Sequence, residues 1–203
     1  MNNGAVFLDR DGTINEEMGY INHPDRFIIF PFVAESIKIF NEMGLKVIVV
    51  TNQSGVARGY FKESLVVELH ETLQKKMQEQ GAQIDSIYYC PHHPKEGRGK
   101  YKLNCNCRKP KPGMVLKAVD EYDIDVQKSY MIGDRYKDIL FARNLNMKSA
   151  LVLTGYGLGE YTFDKEKWKY QPDFVGENIL QIAHQIKDHR EKAQRYKKSK
   201  KHL

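Results

Sequence analysis

The chain has 203 residues, 41% hydrophobic and 29% charged, an ordinary balance for a globular domain and long enough to bury a core without disulfide support. Its longest purely aliphatic stretch, residues 47–50, is far too short to span a membrane. The formal net charge of +6 sits entirely in residues 187–203, which hold eight Lys/Arg against two Asp/Glu, so the rest is neutral, whereas a nucleic-acid-binding domain usually shows a basic face.

In chain order, Ala5–Leu8 is a short apolar run ending on a carboxylate, as a buried parallel strand does. Residues 33–43 predict a helix with Ile37 and Phe40 on one face and Gly44 as its stop. Residues 46–50 are a second buried strand, broken by Thr51-Asn52-Gln53-Ser54-Gly55. Residues 63–80 have the clearest helical period, with Leu65, Leu69, Leu73 and Met77 every four residues and Gly81 closing it. Residues 84–89 are a third strand. The pattern then lapses over 90–111, a long excursion of the kind that carries function or a metal. A helix at Gly113–Tyr122, a strand at 130–132, a helix at 136–145, strands at 150–153 and 173–175, and a helix at 178–186 complete the series. This alternation predicts an α/β fold, a parallel sheet with helices on both faces. The expected organisation is one domain, residues 1–186, carrying a metal loop at 90–107, followed by a frayed, solvated basic tail at 187–203. Residues 1–15 contain Asp9, Arg10 and Asp11 and no basic start followed by an apolar run, so they are not expected to be a secretory signal, and the expected location is the cytoplasm.

Ligands of open parallel sheets bind beyond the carboxyl ends of the strands, so the residues after each strand are the first candidates. Asp9-Arg10-Asp11-Gly12-Thr13 follows the first, Thr51-Asn52-Gln53-Ser54 the second, and Gly133-Asp134-Arg135-Tyr136-Lys137-Asp138 the fourth. Close carboxylates repel unless a cation or a proton intervenes. Asp9, Asp11, Asp134 and Asp138 converging on one crevice predict Mg²⁺, which prefers hard oxygen ligands and retains waters. Lys109 is placed to face a phosphate. Cys90 and His92, then a gap of twelve residues, then Cys105 and Cys107 supply a Cys₃His set suited to tetrahedral zinc. Filling all four positions leaves none for water, so that metal is expected to be structural. His93 competes with His92 as the nitrogen ligand. An odd number of cysteines argues against a disulfide framework.

Phe-Leu-Asp9-Arg-Asp11-Gly-Thr13, Thr51-Asn52, Lys109 and Gly133-Asp134-Arg-Tyr-Lys-Asp138 resemble the four motifs of the haloacid dehalogenase (HAD) superfamily of phosphatases. Asp-Arg-Asp-Gly-Thr-Ile-Asn, Thr-Asn-Gln-Ser-Gly-Val-Ala-Arg-Gly-Tyr-Phe, Cys-Pro-His-His-Pro and Cys-Arg-Lys-Pro-Lys-Pro-Gly-Met resemble the D,D-heptose 1,7-bisphosphate phosphatases, over residues 4–186. The resemblance implies a HAD-like Rossmannoid three-layer fold with a minimal cap. It implies Asp9 as the nucleophile that forms an aspartyl-phosphate and Asp11 as acid, then base. Thr51 and Lys109 would stabilise the transferring phosphoryl oxygens. Mg²⁺ would rest on Asp9, the Asp11 backbone carbonyl and Asp134, with Asp138 orienting a water or Lys109. The family pattern selects His92 over His93, completing a zinc set of Cys90, His92, Cys105 and Cys107. Substrate contacts are implied for Asp9, Arg10 and Asp11, for the loop Glu17-Met18-Gly19-Tyr20, for Thr51, Asn52, Gln53 and Ser54, and for Arg108, Lys109 and Arg135. Arg108, next to a zinc ligand, is the expected clamp on a second phosphate.

The implied reaction removes the C7 phosphate of D-glycero-D-manno-heptose 1,7-bisphosphate, in the synthesis of nucleotide-activated heptose for a lipopolysaccharide core or surface glycan. The expectation is a monomer acting on a small phosphorylated sugar, with no nucleic-acid or membrane partner. Histidinol-phosphate phosphatases share the zinc loop in shorter form; the twelve-residue gap and Pro112-Gly113-Met114 favour the heptose enzymes. A zinc-containing nucleic-acid-binding module is the alternative from another class, and the neutral domain argues against it. The chain departs from the family where Glu17-Met18-Gly19-Tyr20 replaces an Asp-His-Gly-Tyr-like loop, where Arg135 replaces a common Lys, and where Phe32 follows Pro31 in place of Gly. The first two touch substrate recognition.

Overall fold

The computed structural model describes residues 4–200. Six strands, β1 (Ala5–Leu8), β2 (Lys46–Asn52), β3 (Ser86–Cys90), β4 (Tyr130–Gly133), β5 (Lys148–Val152) and β6 (Phe174–Gly176), form one parallel sheet in the order β3-β2-β1-β4-β5-β6. Successive residues of a strand face opposite sides, so the pleat divides the apolar runs between two cores. Val6, Leu8, Val47, Val49 and Ile132 face one core, together with α1 (Val33–Glu42), α3 (Glu63–Glu79) and α7 (Ile179–Lys200). Ala5, Phe7, Ile48, Val50 and Met131 face the other, with α4 (Gly113–Tyr122) and α5 (Tyr136–Asn144). Covering on both faces explains why β1 and β4 have no exposed residue. Phe7, Phe40 and Phe141 are wholly buried, and truncating any of them to alanine costs about 3–5 kcal/mol.

Three differences from the sequence reading have physical causes. β2 runs on to Asn52, because Thr51 and Asn52 pair with Tyr89 and Cys90 of β3, so the polar motif begins inside the sheet. Two short helices, α2 (Gly55–Arg58) and α6 (Gly157–Asp164), were not expected: the first is a single turn, too short to show a period, and the second carries two glycines. The expectation of a frayed tail from residue 187 is corrected, since α7 passes through that point without a break. Ile179, Ile182, Ala183 and Ile186 are fully buried. Beyond them Arg190 Nη2 donates to the Met43 carbonyl at 3.4 Å and His189 lies edge-on to Phe174, so the dock against α1 and β6 extends past the proposed boundary. Residues 201–203 of that tail lie outside the described residues.

Phe32 adopts φ −89° and stacks on Phe30 at 5.2 Å, so the position needs no glycine and serves packing. No helix among the described residues is long and apolar enough to cross a membrane.

Candidate active site

The order of the sheet places β1 between β2 and β4, and the three polar motifs follow these neighbouring strands. The Asp9 N–H continues the ladder by donating to the Ile132 carbonyl at 2.9 Å, which sets Asp9 alongside Asp134. Carboxylate oxygens of Asp9, Asp134 and Asp138, all buried, lie within 4.8 Å of one another. Lys109 Nζ bridges two of them, at 3.0 Å from Asp9 and 2.9 Å from Asp138. Burial disfavours the Lys109 ammonium, but the Asp138 and Asp9 charges outweigh it and raise its pKa. Burial, reinforced by Asp9, pushes Asp134 up to about 8. Asp138 Oδ2 is buried without a partner among the described residues. This cluster is short of positive charge and offers only hard oxygen donors, a set that fits Mg²⁺. Gly12, with φ +79°, has no room for a side chain, since a Cβ would run into the Asp134 carboxylate.

The Asp11 side chain points away from that cluster. Arg10 grips it through Nε and Nη2 at 2.8–3.1 Å, Asn15 donates at 3.0 Å and Gln53 at 2.8 Å. Burial opposes the charged form of Asp11, yet Arg10, Asn15 and Gln53 together hold its carboxyl below the usual range. Arg10 is itself backed by His70 of α3, whose Nε2 lies 3.1 Å from Nη1, and by the face of Phe27. A guanidinium only donates, so Nε2 accepts and the imidazole is neutral; burial and the Arg10 charge push the His70 pKa down to about 3. The sequence reading missed His70. Its place on the α3 core face, beside Leu69 and Leu73, is the only signal the sequence offers.

A crevice of about 300 Å³ opens above this floor, and its walls include Asp9, Asp11, Glu17, Gly19, Tyr20, Thr51, Asn52, Ser54, Arg108, Asp134 and Arg135 among the expected residues. Arg10, Met18, Gln53 and Lys109, expected on the substrate, do not line it; Lys109 is 5% exposed and lies against Asp9. Arg10 is 1% exposed and turned to Asp11, Gln53 braces Asp11 and Thr51 Oγ1, and Met18 packs on the core. These three side chains support the site from behind. Asn52 has a second duty: its side chain accepts from the Lys109 N–H at 3.0 Å and donates to the Lys109 carbonyl at 3.1 Å. Arg58, Lys137 and Tyr156 also line the crevice and were not anticipated. Arg58 lies within the Thr51–Phe61 motif, and that is its signal in the sequence. Arg135 is held off, its Nε on Glu160 at 2.9 Å and its guanidinium over Tyr156.

The long loop brings Cys90, His92, Cys105 and Cys107 together, with ligand atoms within 4.8 Å of one another. Sγ–Sγ separations are 3.4 Å for Cys90–Cys105 and 3.2 Å for Cys105–Cys107, and His92 Nδ1 lies 3.4 Å from Cys107 Sγ. Burial pushes the Cys90 thiol up, a cost that a cation among the sulfurs removes. The donor set fits zinc. His93 stands outside the cluster and accepts from the Glu96 N–H at 2.9 Å. Arg108 Nη1 donates to the His92 carbonyl at 3.2 Å, so the loop aims Arg108 at the crevice.

Residues 106–182 match the HAD-hydrolase-like family model. The chain is 41% identical over 184 residues to the D-glycero-β-D-manno-heptose-1,7-bisphosphate 7-phosphatase of Pasteurella multocida, covering 90% of this chain and 96% of that one. It is 43% identical over 152 residues to the enzyme of the same name from Escherichia coli K12, covering 74% and 80%. The chain belongs to the heptose-bisphosphate phosphatase family. Among solved structures, the D,D-heptose 1,7-bisphosphate phosphatase of B. bronchiseptica, crystallised with magnesium and phosphate, superposes with TM-score 0.79 at 28% identity, over 92% of this chain and 99% of that one. The HAD-like fold and a phosphatase activity follow from this membership.

Proposed function

We propose that this phosphatase removes the C7 phosphate of D-glycero-β-D-manno-heptose 1,7-bisphosphate and leaves the phosphate at C1, serving the synthesis of nucleotide-activated heptose in the cytoplasm. The activity named for these relatives, and the extent over which the chain matches them, support the sugar and the anomer. The observation that carries the chemistry is the pairing of Asp9, touching Lys109, with Asp11, held in a separate hydrogen-bonded cage.

Asp9, Asp134 and the Asp11 backbone carbonyl would hold Mg²⁺, which would supply charge neutralisation between nucleophile and phosphate. Asp9 attacks phosphorus in line with the leaving oxygen, and an acyl phosphate forms as the P–O bond to C7 breaks. Asp11, held below the usual carboxylate range in this structure, takes up a proton as the phosphate binds, delivers it to the departing alkoxide and, ionised again, takes one from the water that hydrolyses the acyl phosphate. Arg10, Asn15 and Gln53 fix the Asp11 carboxylate for both steps. Thr51 donates to a phosphoryl oxygen, and Lys109 offsets the charge gathering there while Asp138 anchors its ammonium. Cys90, His92, Cys105 and Cys107 would hold zinc, which would fix the loop that presents Arg108 to the second phosphate.

The test is a comparison of kcat/KM for both anomers of heptose 1,7-bisphosphate, histidinol phosphate and nucleotides. The expected result is a preference of more than about tenfold for the β-bisphosphate, the size of one well-placed contact. Faster turnover of histidinol phosphate overturns the substrate.

A further inference from the structure

A second cleft, of about 430 Å³, lies between α2 and the tip of the cysteine loop, lined by Arg58, Tyr60, Glu96, Arg98 and Tyr101. It shares Arg58 with the catalytic crevice. The loop tip approaches α2 at Gly97, with φ +113°, where a Cβ would meet the Ala57 carbonyl oxygen at 2.7 Å. Glu96 and Arg98 are thereby presented on either side of that contact.

Arg58 Nη1 forms an ion pair with Glu96 in this structure. The pair is lopsided, since the Glu96 side chain is 55% exposed and the Arg58 side chain 22%. Arg58 Nε is buried with no partner among the described residues. A buried donor without an acceptor is a disfavoured arrangement, so this pose leaves the guanidinium with something to gain by turning. Arg135, across the crevice, differs. Its partner Glu160 also accepts the Tyr136 N–H at 2.6 Å, and its guanidinium is stacked on Tyr156 at 4.3 Å. Glu160 is fixed, whereas among the described residues Glu96 is tied, beyond Arg58, through its backbone N–H to His93 Nδ1.

We propose that Arg58 is a specificity-determining residue that grips the phosphate not being cleaved, opposite Arg108, and that Glu96 occupies Arg58 until that phosphate arrives. The inference rests on the bisphosphate reading above. A phosphate dianion matches the guanidinium fork and carries more charge than a carboxylate half in water. Displaced, Glu96 has the second cleft to enter, where Arg98 is a ready partner. The crevice floor is lined by Asp9, Asp11, Glu17 and Asp134, so a substrate with a second phosphate needs a cation at the rim that is free to turn.

The two residues should therefore act with opposite signs. Glu96→Gln removes the competitor, and the KM for heptose 1,7-bisphosphate should fall about two- to fivefold at unchanged kcat, the worth of an exposed ion pair. Turnover of p-nitrophenyl phosphate should not change in that variant. Arg58→Ala should raise the bisphosphate KM about tenfold or more and affect the monophosphate much less. In the double variant Glu96→Gln should have no further effect. A mere brace between α2 and the loop predicts the reverse for Glu96→Gln, a higher KM with a lower Tm, and that result overturns the proposal, as does an unchanged KM. Equal losses on both substrates in Arg58→Ala overturn it too. If the wild type shows no preference for the bisphosphate over simple monophosphates, the substrate reading falls and takes this inference with it; a wild-type preference that Glu96→Gln fails to sharpen removes this inference alone.

Discussion

Two clusters of ligand-bearing side chains stand at the same end of this sheet and are built in opposite ways. Asp9 and Asp134 hang from adjacent strands, and backbone pairing of β1 with β4 sets their separation. Cys90, His92, Cys105 and Cys107 are spread over a loop whose regular structure is one turn at Gly99–Tyr101 and a bridge between His93 and Lys102. Only Cys90 stands on a strand. The floor inherits its geometry from main-chain hydrogen bonds, whereas the loop depends on what its side chains hold. Chemistry and selectivity are therefore separable: Lys109 is tied to β2 through both Asn52 bonds, and Arg108 leans on the His92 carbonyl.

The floor is broken most directly at Asp9. Asp9→Asn should reduce turnover of every phosphate ester to background while the Tm stays close to wild type, because an amide keeps the shape and loses the nucleophilic oxygen. Phosphate release and thermal melting followed by circular dichroism check this, and near-normal turnover refutes an aspartyl-phosphate. Asp11→Asn should lose about 10²–10⁴-fold, the usual worth of a positioned acid–base.

Stripping zinc tests the other side. Dialysis against a thiol-compatible chelator, followed by Mg²⁺ replenishment, should cost more than about tenfold in kcat/KM for the bisphosphate, the value of a lost charge-assisted contact. The loss for p-nitrophenyl phosphate should be smaller, because Asn52 still holds Lys109. Elemental analysis should find one zinc per chain beforehand, and equal losses on both substrates would show that the floor also depends on the loop.

Arg108→Ala isolates the arm from the loop that aims it. Losing one such contact costs about 1.5–3 kcal/mol, or roughly tenfold to somewhat over a hundredfold in kcat/KM for heptose bisphosphate. A monophosphate has no second phosphate to lose and should fall much less. The smallest effect is expected far from both clusters. Deleting residues 193–203 should leave kcat/KM within about twofold, because Ala193, Gln194, Arg195, Ser199 and Lys200 are exposed and the docking of α7 on Met43 and Phe174 comes from Arg190 and His189. Removing 187–203 instead should lower the Tm, since it strips those contacts.

Much of the floor was readable because its residues are adjacent in sequence to apolar runs. A run such as Ala5–Leu8 can only be a buried strand, and the residue after it must emerge at the carboxyl edge. The same logic placed Thr51 and Asp134. The cysteine set was readable from spacing, although His92 and His93 are equivalent at that level, and only the turn that bonds His93 to Glu96 separates them.

Arg10 marks the limit of sequence. Lying between the two aspartates proposed to be catalytic, it looks like a substrate contact, but the tight turn after β1 directs its side chain inward, where α3 supplies His70 and residue 27 supplies an aromatic face. Nothing local encodes that meeting of residues 10, 27 and 70. The Gln53 and Met18 side chains stand behind the crevice for the same reason. The helical continuation of α7 was hidden too, because its lysines and arginines show no apolar period while its docking rests on a few contacts from distant elements. Local sequence thus determined the strand ends, the residue types of the chemistry and the spacing of the cysteine ligands, since each follows from chain periodicity and side-chain character. Tertiary structure alone decided which polar side chains face the crevice and which stand behind it, because that depends on what other segments offer in a space too small for an unpaired charge.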